Sequence, residues 1–113
     1  MNRLVVSGFF LALCAPLVAQ TDRGILNGTV ADRTGAVIPG AKVTATNSNT
    51  NVAFTTETTS SGDFTIPNLP VGTYSLRIEQ KGFKAAVRSD ITITAGGAAT
   101  VNAVLEVGEL TES

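Results

Sequence analysis

The chain has 113 residues, a formal net charge of −1 and only 15% charged residues. It contains no histidine, which excludes His-ligated zinc sites and Ser-His-Asp or Cys-His nucleophile arrangements. Its charges form no basic stripe, so nucleic-acid binding has no electrostatic basis.

The first predicted element is an export signal over residues 1–20. Met1-Asn2-Arg3 is a short basic start, Leu4 to Val18 is almost wholly apolar, and polarity begins at Gln20-Thr21-Asp22-Arg23. That order is the one a secretory signal peptide requires. The apolar run is shorter than the roughly 20 residues of a membrane-spanning helix, and Pro16 sits near its end. Cleavage is expected after Ala19 or Gln20, leaving no transmembrane segment in the mature chain. Cys14, the only cysteine, raises lipid attachment as a second reading. A lipidation site wants a small residue before the cysteine, and here Leu13 stands there. Without Cys14 the mature chain holds no disulfide, although export would permit one.

Beyond the signal, apolar residues alternate with period two. Leu26, Gly28 and Val30 share one face of a first strand spanning Ile25 to Ala31, with Asn27 and Thr29 on the other. Asp32-Arg33-Thr34-Gly35 reads as a turn, and Pro39 marks a bend or an edge entry. Val43 and Ala45 point inward against Lys42, Thr44 and Thr46. Asn47 to Asn51 is a polar loop. Val52, Phe54, Thr56 and Thr58 oppose Ala53, Thr55 and Glu57. Ser60-Ser61-Gly62 is expected to close a hairpin into a strand with Phe64 and Ile66 inward. Pro67 to Pro70 is expected to block further pairing, and Gly72 to supply a positive-φ turn position.

Tyr74, Leu76 and Ile78 alternate with Ser75, Arg77 and Glu79 in the cleanest strand of the chain. Gly82 breaks it, and Phe83, Ala85 and Val87 are expected to share one face. Ile91 and Ile93 make a short strand, Ala95-Gly96-Gly97 a turn, and Val101, Ala103, Leu105 and Val107 the inward face of a last strand. No 3.6-residue periodicity occurs after the signal. About seven short strands facing one core predict two packed sheets. The tail, residues 108–113, is polar and reads as a frayed end or a linker.

Gly62-Asp63-Phe64, Leu69-Pro70-Val71-Gly72-Thr73-Tyr74 and Lys81-Gly82-Phe83 resemble the motifs of the carboxypeptidase regulatory-like domain. So does the opening Leu26 to Asp32 with Gly35 and Ile38 to Val43. The resemblance covers about Thr21 to Val107 and implies an all-β, seven-stranded Greek-key sandwich of the transthyretin-like kind over residues 21–107. It also implies a context, because similar domains often follow the signal peptide of TonB-dependent outer-membrane receptors, so the chain is expected to be the N-terminal extension of such a receptor or a stand-alone relative. Leu105 to Glu112 looks like the junction into the plug of such a receptor.

No residue is assigned a catalytic, cofactor-binding or metal-binding role. Asp32, Glu57, Asp63 and Glu79 read as turn-formers or solvated strand residues rather than an acid pair, and Ser7 lies in the signal. Related adhesin sandwiches carry a Lys–Asn crosslink between first and last strands. Asn102 is on the last strand here, but the first has no lysine.

The expected function is a non-catalytic structural or protein-interaction module at the bacterial envelope, in the periplasm, at the outer membrane or secreted. Its expected partner is an envelope protein or the remainder of a receptor. The alternative is a carbohydrate-binding module. Against it, the chain has no tryptophan, and Phe54, Phe64, Tyr74 and Phe83 all occupy inward positions.

Overall fold

The computed structural model describes residues 22–108. The export signal expected over residues 1–20, with Ser7 and Cys14, and the tail beyond Gly108 lie outside the described residues. Eight strand segments run in order: β1 (Arg23–Asp32), β2 (Lys42–Asn47), β3 (Ala53–Glu57), β4 (Asp63–Pro70), β5 (Gly72–Glu79), β6 (Ala86–Ile93), β7 (Ala98–Thr100) and β8 (Ala103–Leu105). They form two sheets. One has the order β4-β1-β7 with β8 also paired to β1, and the other has the order β3-β2-β5-β6. β7 and β8 both run parallel to β1. They are two stretches of one last strand, interrupted at Val101 and Asn102, so the sandwich has the expected seven strands, three over four.

The alternating residues supply the core. From the first sheet come Leu26, Val30, Phe64, Ile66, Leu69, Val101, Ala103 and Leu105. Val43, Ala45, Tyr74, Leu76, Ile78 and Ile93 come from the second. Burying a Leu or Ile side chain contributes about 1.5–3 kcal/mol relative to leaving it in water, so this interior is the main source of stability in a domain without disulfides. The buried polar side chains Thr58, Tyr74 and Asn47 all have partners. The Thr58 hydroxyl donates to the Ile38 carbonyl at 2.7 Å and accepts the Ala41 amide at 2.8 Å. The Tyr74 hydroxyl donates to the Pro70 carbonyl at 2.7 Å, which ties the start of β5 to the end of β4.

Gly28 has a steric cause. The backbone of Val101 crosses directly over it: a Cβ at Gly28 would meet the Val101 carbonyl carbon at 2.7 Å and Phe64 Cε1 at 2.9 Å. Glycine inside a strand commonly marks such a close backbone approach. The approach lets the Val101 amide donate to the Asn27 carbonyl at 2.8 Å, which closes the last strand onto the first.

Several expectations need correction. The turn at Thr59–Gly62 does not close a hairpin, because β3 and β4 belong to different sheets. It carries the chain across the sandwich. Pro67 to Pro70 does not end pairing. β4 bulges there, with Asn68 at φ 58°, and pairing resumes at Gly24–Leu69 and Arg23–Pro70. Prolines are tolerated because β4 is an edge strand, where a missing amide on the open side costs no ladder bond. The strand holding Ile91 and Ile93 begins earlier, at Ala86, and bulges at Ser89-Asp90, with Asp90 at φ 59°. That bulge shifts the register, so Val87 is exposed and Ala86 packs on the core instead.

Val52 lies outside β3 and is exposed, as is Val107. Asn47 is the buried last residue of β2 rather than a loop residue. Its side-chain oxygen accepts the amides of Asn49 and Thr50, which shapes the β2–β3 turn. Past β8 the chain pairs again, with the Lys84 amide donating to the Glu106 carbonyl and the Gly108 amide to the Gly82 carbonyl.

Candidate functional site

The carboxylates singled out in the sequence do not converge. Asp32 caps its own turn, accepting from the Thr34 hydroxyl at 2.6 Å and from the Thr34 and Ala36 amides at 2.8 and 3.1 Å. These hydrogen bonds, the Thr34 hydroxyl first, hold its carboxyl below the usual carboxylate range. Asp63 accepts from the Thr29 hydroxyl at 3.2 Å, Glu79 pairs with Arg77 at 2.9 Å, and Glu57 stands exposed at the end of β3. Among the described residues no group of acidic, cysteine or histidine side chains could hold a metal ion. Asn102 accepts a hydrogen bond from the Thr29 amide at 3.2 Å, and β1 carries no lysine for a crosslink.

Phe64 and Tyr74 are buried, while Phe54 and Phe83 are half-buried, with the Phe54 ring tilted 6.3 Å from that of Tyr74. With all four aromatics packed on the core, no exposed aromatic face is left among the described residues. Two shallow grooves flank β8. One, of about 260 Å³, runs between Asp32–Thr34 and Leu105–Val107. The other, of about 270 Å³, runs between Lys84–Val87 and Val104. Neither gathers a set of buried polar groups.

The strand edges differ more sharply. An open edge presents unpaired amides and carbonyls to any incoming strand, and folded proteins blunt such edges with prolines, bulges or interruptions. β4 carries Pro67, Pro70 and the Asn68 bulge. β6 carries the Asp90 bulge, and the Arg88 guanidinium turns back to the Asn102 carbonyl at 3.2 Å. The last strand is broken between β7 and β8.

β3 has none of these devices. Its five residues pair with β2 in unbroken register, Ala53–Thr46 to Glu57–Lys42. The flanking bonds from Asn47 to Val52 and from Thr58 to Ala41 fix the phase. Phe54 and Thr56 bond to β2, whereas Ala53, Thr55 and Glu57 turn their amides and carbonyls outward. The side chains of those three are also exposed. The strand was legible in the sequence. Its openness was not, because it depends on which strands lie beside it.

The model of the carboxypeptidase regulatory-like domain matches residues 25–106. No curated protein matches the sequence. Among solved structures, the TIE protein of Bacillus anthracis is similar at 26% identity and a TM-score of 0.64, over 76% of this chain and 17% of that protein. The minor pilin of Streptococcus agalactiae is similar at 18% identity and TM-score 0.63, over 82% and 48%. A candidate carbohydrate-binding protein of Bacteroides uniformis is similar at 18% and 0.61, over 76% and 42%. The same sandwich recurs in the catechol 1,2-dioxygenase of Acinetobacter radioresistens at 14% and 0.62, over 83% and 57%. In each case the chain spans less than two thirds of the matched protein. The matches below 25% identity share the fold alone.

Proposed function

The chain belongs to the carboxypeptidase regulatory-like domain family, and on that premise we propose that it is a non-catalytic interaction module exported to the bacterial envelope, where it joins other chains through its sheet edge. The observation that carries this reading is the bare β3 edge, in a sandwich whose other edges are blunted. Strand addition at such an edge takes affinity from main-chain hydrogen bonds and needs no pocket. The family and the likeness to a pilin support a module without chemistry of its own. The dioxygenases share only the fold, and fold alone does not transfer an activity.

Export rests on the order of residues 1–20. In its narrower form the reading places the domain ahead of the plug of a TonB-dependent receptor, a form tested by whether a plug and barrel are encoded downstream. Carbohydrate binding is the second reading. It is favoured by the likeness to the Bacteroides protein and opposed by the packing of all four aromatic side chains on the core, Phe64 and Tyr74 fully buried and Phe54 and Phe83 in part. Saturable binding in a calorimetric glycan titration would promote it.

The direct test places a photo-crosslinking residue at Thr55 in living cells. Capture of a defined protein, lost when Ala53, whose amide also faces outward, is replaced by proline in the same chain, is the expected result. No capture from any position along β3, together with unchanged behaviour of cells lacking the domain, would overturn the proposal.

A further inference from the structure

We infer that the partner strand at β3 is β3 of a second copy of this chain, added antiparallel about a two-fold axis through Thr55. The inference rests on the reading of the chain as an interaction module and names its partner. Register singles out this pairing. The residues whose backbone groups face outward are Ala53, Thr55 and Glu57. Antiparallel pairing centred on Thr55 sets Thr55 against Thr55, and Ala53 of each copy against Glu57 of the other. All three positions are then hydrogen-bonded pairs, in which each residue exchanges both main-chain bonds with its opposite.

The side chains agree with that register. No like charges face one another, because the single charge of the strand, Glu57, lies opposite an alanine. The central Thr–Thr pair is favourable across strands, and on the inner face Phe54 falls opposite Thr56, an aromatic against a β-branched residue. Isologous contacts need self-complementarity of this kind. β3 has no proline, glycine or bulge to obstruct it. In the paired form two four-stranded sheets become one continuous sheet of eight. Five residues a side cover much less than the roughly 1,200 Å² of a stable complex, so the dimer is weak, dissociating at tens to hundreds of micromolar, on the order of −5 to −6 kcal/mol.

Sedimentation velocity of the exported domain from about 5 µM to 1 mM reads this directly. Monomer is expected at the low end and dimer at the high end. Thr55→Lys puts two ammonium groups face to face at the axis and is expected to weaken association at least about 10-fold, because like charges directly opposite disfavour pairing. Ala53→Lys puts a lysine opposite Glu57 twice per dimer and is expected to strengthen it about 3- to 10-fold at low salt, with the gain fading at high salt.

Both side chains are exposed, so each variant should keep the parental melting temperature. A chain monomeric throughout, an association untouched by Thr55→Lys, or one weakened by Ala53→Lys would overturn the inference. Capture of a different protein at Thr55 by a chain that stays monomeric would overturn the second copy while leaving the interaction module standing.

Discussion

Replacing Gly28 with alanine should cost this domain a large part of its stability. The new Cβ would lie 2.7 Å from the Val101 carbonyl carbon and 2.9 Å from Phe64 Cε1, where carbon atoms rest at about 3.5–4.0 Å. Neither neighbour is the free end of a flexible side chain, so the last strand must lift from β1 by about an ångström. Overpacking of a tight core typically costs about 1–3 kcal/mol. The shift also stretches the bond from the Val101 amide to the Asn27 carbonyl and that from the Thr29 amide to Asn102, each worth about 0.5–1.5 kcal/mol net.

The sum is about 2–6 kcal/mol, against a total stability of about 5–15 kcal/mol for a domain of this kind. At about 4–8 °C per kcal/mol, the melting temperature should fall by at least about 8 °C. Thermal and urea denaturation followed by far-ultraviolet dichroism measures it. Gly35→Ala is the control. Gly35 has φ +93°, but a Cβ there would meet nothing within 4 Å, so the variant loses only the about 1–2 kcal/mol of a left-handed residue. A Gly28→Ala variant that melts within a few degrees of the parent, or no lower than Gly35→Ala, would refute the close crossing of the last strand.

Thr58→Val leaves the Ala41 amide and Ile38 carbonyl buried without a partner, and should destabilise by about 2–6 kcal/mol in urea titration, since each orphaned group costs about 1–3 kcal/mol. Tyr74→Phe removes the hydroxyl bonded to Pro70 but keeps the ring, and should cost about 1 kcal/mol. Its melting temperature should fall by only about 4–8 °C. Asp32 has a folded pKa lowered by the Thr34 hydroxyl and the nearby amides. Its contribution is therefore present above the ordinary carboxylate pKa near 4 and is lost as pH falls through the folded value. Melting temperature against pH should flatten on the acid side in Asp32→Asn, and an unchanged acid limb would contradict the turn cap.

The sheets were legible where alternation is strict and both neighbours are regular. Tyr74, Leu76 and Ile78 are buried as their spacing requires, and so are Val43 and Ala45. Alternation failed at the bulges. One extra residue inverts the faces of everything beyond it, so Val87 changed sides at Ser89-Asp90, and Pro67-Asn68 let β4 continue past a break that the prolines predicted. Connection type was hidden for another reason: Ser60-Ser61-Gly62 has turn chemistry whether the next strand pairs with the last or crosses to the other sheet. The candidate site was the least visible part. Nothing within Ala53–Glu57 tells that it lies at an edge, since that follows from the strand order β3-β2-β5-β6.

Residue-resolved amide hydrogen exchange along β3, in dilute and in concentrated solution, reads the open edge and its partner in one experiment. Phe54 and Thr56 should be protected at every concentration, whereas Ala53, Thr55 and Glu57 should exchange fast when dilute and slow as the chain is concentrated. Equal protection of all five amides in dilute solution would mean that the edge is already covered, and exchange indifferent to concentration would mean that no second copy docks there.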